Sequence, residues 1–170
     1  AERLARQAFD EQQLIFDNAA VGILFVRDRM VQRCNRRLAE IFGYQPEELA
    51  GRSTRVFYLS EADYQRHGAK MLPVLMAGET YIGETRARQK DGTAFWVRAT
   101  GRRVAGQIGS FDLTWIFEDV TERHQAEEAL LRAHEELEQR VVERTAELAS
   151  ANTQLQEEVF ERMQAEQRIW

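Results

Sequence analysis

After Gly109 the chain runs sixty-one residues to Trp170 with neither glycine nor proline. Those two residues are the usual means of turning or breaking a backbone, so the stretch has little choice but to form long regular elements. Its apolar residues decide which kind. Leu130, His134, Leu137 and Val141 are spaced four, three, four, and Leu148, Asn152, Leu155 and Val159 repeat that spacing. Leucine at d with mostly valine at a makes the seam of a parallel two-stranded coiled coil, and Asn152 falls at an a position where a buried amide selects register and dimer. Residues 122–170 are therefore expected to form a coiled-coil helix, and the protein a homodimer. Val141 and Asn152 stand eleven residues apart rather than seven, with Thr145 as a polar extra step. A four-residue insertion in a heptad pattern produces that interval and locally unwinds the supercoil. Glu143, Arg144 and Thr145 are thus a candidate switch point. His134 at a seam position reads as a tolerated polar core residue rather than a pH-sensitive joint. Glu128 with Arg132, Glu136 with Arg140 and Glu158 with Arg162 lie four apart and would support the exposed faces.

The chain ahead of this rod has a different texture. Leu4, Ala5, Ala8, Phe9, Gln12, Ile15 and Phe16 fall on one side at helical spacing, which predicts an amphipathic N-terminal helix over residues 1–16. VGILFVRD and MVQRCN are β-rich runs around the polar turn Arg27, Asp28, Arg29 and predict a hairpin. In NRRLAEIFGYQPEELAG, Leu38, Ile41 and Phe42 form an apolar stripe, Gly43 ends the helix and Pro46 opens a second short one. Ser60 with Asp63 three residues on resembles an N-terminal cap, and the segment to Met76 reads as helix despite Pro73. Three strand-like runs follow, TYIGETRARQ, TAFWVRATGRRV and SFDLTWIFED, the first two joined by the turn Lys90, Asp91, Gly92. The order predicts an α+β domain over residues 17–121, a five-stranded antiparallel sheet with short helices on one face. The last strand runs directly into the rod. Asp119 can cap a helix starting near Val120, Glu122 can reach back from the third position, and Thr121 is an alternative cap. Asp119, Val120 and Thr121 are the candidate coupling residues between sheet and rod.

Composition removes several functions. Residues 122–170 hold twelve acidic and six basic side chains against an overall net charge of −5, so the first 121 residues are nearly neutral. Nucleic-acid binding needs clustered Lys and Arg, and no such stripe exists. The single cysteine, Cys34, excludes an internal disulfide and a Cys-based zinc site, suits a reducing cytoplasm, and reads as a small core residue rather than a reactive thiol. The longest apolar run, AAVGILFV, is far short of the ~20 residues a membrane span requires. Nothing in these residues reads as a signal peptide, and no membrane contact is expected of them. The first residue is alanine and both ends read as helix, so the chain is expected to be part of a longer protein.

FDNAAVGILFV, NRRLAEIFGYQPEELAG, GRSTRVFYLSEADY, RQKDGTAFWV and WIFEDVTER, in that order over residues 14–123, resemble the PAS sensor domains. The resemblance implies a signal-input module that dimerises, holds a small molecule between sheet and helices, and passes a signal to a C-terminal output domain. RVVERTAELASAN is similar to the signalling helices that link sensors to enzymes, with the Glu-Arg-Thr mark at 143–145. The tail FERMQAEQRIW resembles the lead-in to GGDEF domains, which implies a diguanylate cyclase as output. A sensor histidine kinase is the alternative, and a purely structural dimerisation adaptor is a third.

For cofactors the resemblance implies the following. Thr54 stands where photochemical relatives carry a reactive cysteine, which excludes blue-light adduct chemistry. Ala87, Arg88 and Gln89 stand where flavin-binding relatives show an asparagine, which speaks against flavin. His67 lies near the position of the haem-ligating histidine, with Arg86 available for a haem ligand or propionate, although histidine is common there without haem. No cofactor is predicted. A catalytic role is not expected of this chain: His124 and His134 lie on the rod, no triad or metal spacing occurs, and Ser53, Asp63 and His67 make no convincing constellation.

Overall fold

A computed structural model describes residues 2–104 and 110–168. The side chains of Leu4 and Ala5, part of the N-terminal stripe, lie outside that description, as do Ile169 and Trp170. The chain divides into two units, one ending at Glu122 and one beginning at Arg123.

In the first unit, helix α1 (Glu2–Asn18) leads to strands β1 (Gly22–Arg27) and β2 (Met30–Cys34). Asp28 and Arg29 join these strands with φ of 49° and 63°, the conformation of a two-residue type I′ turn. Phe16 of α1 stacks on Phe25 with ring centroids 5.9 Å apart, while Phe9, Leu14 and Ile15 are exposed. Helix α2 (Arg36–Phe42) is capped by Asn35 and ended by Gly43, whose φ of 75° lets its N–H bond the Glu40 carbonyl. Helix α3 (Pro46–Leu49) carries a capping box of Gln45 and Glu48. A 3-10 turn (Thr54–Phe57) and helix α4 (Glu61–Met76) follow. Ser60 caps α4 as its spacing predicts, and Pro73 is accommodated within the helix close to its end.

Strands β3 (Tyr81–Arg88), β4 (Ala94–Arg103) and β5 (Asp112–Asp119) complete a five-stranded sheet in the order β2-β1-β5-β4-β3, antiparallel throughout. The α+β reading and the five-stranded antiparallel sheet therefore hold. Strand β5, last in the chain, lies at the centre, so the sheet closes only when its final strand inserts. Alternation along β4 turns Phe95, Val97 and Ala99 inward and leaves Arg98 outside. Phe42 sits in the core with its ring 5.3 Å from Phe95 and 5.6 Å from Phe117. The β3–β4 turn docks on the helices: the Lys90 N–H donates to the Phe42 carbonyl at 2.9 Å and Gln89 Nε2 to the Ile41 carbonyl at 2.9 Å.

Helix α5 (Thr121–Gln167) begins in the first unit and makes up the described part of the second. At about 1.5 Å per residue its 47 residues extend ~70 Å. None of them is buried. Glu128 with Arg132 and Glu158 with Arg162 form ion pairs as expected; Glu136 and Arg140 do not close, and Arg123 with Glu127 and Arg144 with Glu147 supply further pairs.

Candidate functional site

The inner face of the sheet and the helices laid on it enclose a cavity. It leaves about 50 Å³ open to the centres of water-sized groups. Leu24, Val97, Leu113 and Trp115 line its sheet side, and Met71 of α4 and Phe57 of the 3-10 turn face them. Room for the large rings is made by glycine. Trp115 lies across Gly101, its partner in β4, where an added Cβ would stand 2.5 Å from the indole, and Tyr81 lies across Gly83 in the same way at 2.6 Å.

The polar groups of the lining converge from four elements. Arg29 comes from the β1–β2 turn, Tyr58 from the end of the 3-10 turn, His67 from α4 and Tyr81 from β3. Their rings form a chain, Tyr58 to His67 at 5.7 Å and His67 to Tyr81 at 6.4 Å, and Tyr81 meets Trp115 at 6.0 Å. The Arg29 guanidinium stands 3.5 Å from the centre of the Tyr64 ring, and one of its Nη atoms donates to the Tyr64 carbonyl at 3.2 Å. Thr54 also borders the cavity, and its N–H donates to the Arg29 carbonyl at 3.0 Å, which ties the hairpin turn to the 3-10 turn. Burial pushes the Tyr58 phenol up to about 12, so it remains a neutral donor. Burial first, then Lys70 and Arg66, holds the His67 imidazole below its usual 6.5.

Haem does not fit these residues. The cavity is far narrower than a porphyrin, and His67 is packed against Tyr58 and Tyr81. Arg86 borders the same cavity, but its side chain is exposed and its guanidinium stands 6.0 Å over the Trp96 ring. Strand alternation puts that side chain on the outer face, since Ala87 beside it is buried inward. His67 and the Arg86 guanidinium are thus not brought together. Ser53 and Asp63 are occupied locally, Ser53 Oγ accepting the Arg55 N–H and Asp63 pairing with Arg66. Cys34 is buried, and desolvation pushes its thiol up to about 11, an unreactive environment consistent with a core role. Among the described residues no cluster of three or more metal-ligating side chains occurs.

The second candidate locus is the β5–α5 junction. Asp119 Oδ1 accepts the Thr121 N–H at 2.9 Å, as a cap should, and the helix runs from Thr121, next to Val120. Thr121 has a further role that spacing does not reveal. Its Oγ1 accepts the Trp96 N–H of β4 at 3.0 Å, and the Val120 N–H donates to the Trp96 carbonyl at 3.0 Å. The helix start is therefore pinned to two strands, not one.

Along α5 the candidate seam residues Leu130, Leu137, Val141, Leu148, Leu155 and Val159 are 55–72% exposed. His134 pairs with Glu138 at 3.2 Å. At the candidate switch point Glu143 accepts from Gln139, Arg144 reaches Glu147 at 2.9 Å, and Thr145 Oγ1 donates to the Val141 carbonyl at 2.7 Å. Sequence reasoning missed Arg29, Tyr58, Tyr81 and Trp115 in the cavity. The available signal was an arginine in a hairpin turn where glycine or asparagine is usual.

A family model described as PAS domain matches residues 20–122, more than half of the chain. The sensor protein TdiS of Thauera aromatica is 30% identical over 136 residues, 80% of this chain but 25% of that protein, so the chain spans about a quarter of that curated relative's length. The solved PAS domain of a LuxR-family transcriptional regulator from Burkholderia thailandensis, in complex with ethanol, is 32% identical, with a TM-score of 0.59 over 64% of this chain and 96% of its own. A sensory box histidine kinase/response regulator from Burkholderia thailandensis is 25% identical, with a TM-score of 0.56 over 76% and 98%.

Proposed function

The chain belongs to the PAS domain family, and on that premise we propose that it is the signal-input and dimerisation module of a longer signal-transduction protein, regulating a C-terminal output enzyme through a parallel coiled coil of α5. The observation that carries this reading is the junction. Strand β5 is central in the sheet that walls the cavity, and it passes without glycine or proline into a helix whose first residue is hydrogen-bonded to β4. A change of packing in the cavity therefore reaches the helix start through hydrogen bonds rather than through a flexible linker. Seam leucines and valines more than half exposed along ~70 Å of helix support a second copy as the partner, because a polar helix of that length gains no stability alone.

The tail FERMQAEQRIW supports a diguanylate cyclase as the output. A histidine kinase is supported by a different observation, the likeness to a sensory box histidine kinase/response regulator. The two separate in one assay of the full-length parent protein. Cyclic di-GMP formed from GTP supports the cyclase, and a phosphohistidine formed from ATP supports the kinase. A dimer that does neither would make the chain a dimerisation adaptor. Among the described residues no helix is long and apolar enough to cross a membrane.

A further inference from the structure

Arg29 is a charged residue in a costly place. It occupies the second position of a type I′ turn at φ 63°, a conformation that side-chain-bearing residues rarely adopt. Its side chain borders the cavity, and its Nε is buried with no hydrogen-bond partner. A guanidinium has five N–H donors; here an Nη donates to the Tyr64 carbonyl and the Tyr58 phenol accepts from the side chain, which leaves Nε and the charge itself unmatched. Among the described residues no carboxylate forms an ion pair with it, and no residue that lines the cavity is acidic. Gly68 of α4 leaves the space the guanidinium fills, for a Cβ there would stand 3.1 Å from both Nη atoms. The residue is half-buried, and its charge faces the Tyr64 ring at 3.5 Å and neutral oxygens rather than a counter-charge. A carboxylate would offset this with charge and with two acceptors matched to the guanidinium fork.

Size narrows the ligand further. One water needs roughly 10–15 Å³ of such volume, so a cavity of about 50 Å³ holds roughly three to five non-hydrogen atoms. The remaining lining is mostly apolar and aromatic, which suits a short alkyl end and not a second charge. We propose that the cavity binds a two- or three-carbon monocarboxylate, with its carboxylate on the Arg29 guanidinium and its alkyl end against the apolar lining. This rests on reading the cavity as the sensing part of the input module, and it adds the chemical class of what is sensed. Tyr58, a neutral donor beside Arg29, is placed to share the carboxylate.

The test is calorimetric titration and thermal denaturation of the purified 170-residue chain with acetate and propionate. Acetamide and propionamide serve as neutral counterparts of the same shape, and sodium chloride holds the ionic strength constant. The expected result is saturable binding of the carboxylates, about ten-fold or more tighter than of the amides. Arg29→Gln should abolish the difference, while Arg102→Gln, on the exposed end of β4, should leave it intact. Amides that bind as tightly as carboxylates would overturn the proposal but keep a ligand-binding input module. Binding of neither would overturn the proposal alone, since coupling through α5 is tested separately by changes in the rod. If Arg29→Gln loses its fold by circular dichroism, the carboxylate–amide comparison on the unchanged protein decides by itself.

Discussion

Among the described residues Asn35 is the one buried polar side chain. It is fully buried, yet every hydrogen-bonding group of its side chain is used. Its Oδ1 accepts the N–H groups of Ile23 at 2.8 Å and Leu38 at 3.0 Å, and its Nδ2 donates to the carbonyls of Phe16 at 2.9 Å and Val21 at 3.0 Å. One amide thus fastens α1, β1 and α2 together. Replacing it with alanine strands buried groups at roughly 1–3 kcal/mol each, so Asn35→Ala should lower the denaturant midpoint markedly. Asn35→Asp should be no better, since it turns the donor towards two carbonyls into an acceptor. His67 gives a prediction of opposite visibility. Its folded-state pKa is depressed below 6.5 by burial first and then by Lys70 and Arg66. The unfolded chain therefore takes up the proton more readily, so stability is fully present above that ordinary value and is lost as pH falls through it. Urea midpoints measured from neutral to mildly acidic pH should fall in the parent and fall less in His67→Gln. Residues such as these mark the limit of sequence reading. The segment that contains Asn35 was legible as a helix start, and the bond from Leu38 is the local cap, but the other three bonds of its amide join residues far apart in the chain. Arg29 was legible only as a turn residue, because nothing in the spacing says that its side chain crosses to α4.

At the scale of elements, legibility followed periodicity. The alternation of a strand such as β4, the apolar stripe of α2 and the Ser60 cap of α4 are local patterns, and the sequence predicts the elements they mark. The sheet order was not readable in the same way, since strand neighbours depend on which faces must be buried. The coupling junction shows the difference within four residues. Asp119 as a cap follows from side-chain chemistry at short range, whereas the bonds from Thr121 and Val120 to Trp96 span about twenty-five residues and required the sheet. The rod itself carries a prediction about assembly. Leu137 and Leu155 are each 59% exposed in the single chain, a burden that a facing helix would remove. Truncating a leucine buried in such a seam costs ~2–5 kcal/mol per site. Light scattering at micromolar concentration should therefore show a dimer for the parent and a shift to monomer for Leu137→Ala with Leu155→Ala. A monomeric parent would mean that the seam has another partner.

For the whole molecule the question is how a change in the first unit would reach the proposed output domain through a helix about 70 Å long. A rigid rod can transmit rotation only if its packing has two comparable states, and on the proposed coiled coil the interval between Val141 and Asn152 is the place expected to meet that condition. Over those eleven residues the heptad gains four, so neither register fits throughout. In the proposed coiled coil Arg144 and Thr145 would compete for the inward position there, and neither would gain from burial as leucine does. Arg144 is engaged with Glu147, and the Thr145 hydroxyl is returned to the Val141 carbonyl. Two helix rotations should then differ by only a few kcal/mol, small enough for a ligand with unequal affinity for the two states to choose between them. Thr145→Leu should favour one packing and hold the full-length protein's output constantly on or constantly off. Seven residues inserted after Ala149 restore the seam to the same face and should preserve regulation. Four residues turn the downstream seam relative to the upstream one and should scramble it. The measurement is output activity with and without the signal for each variant. If Thr145→Leu and the four-residue insertion both leave regulation untouched, α5 acts as a tether, and the rotation set at Thr121 is not what the output domain reads.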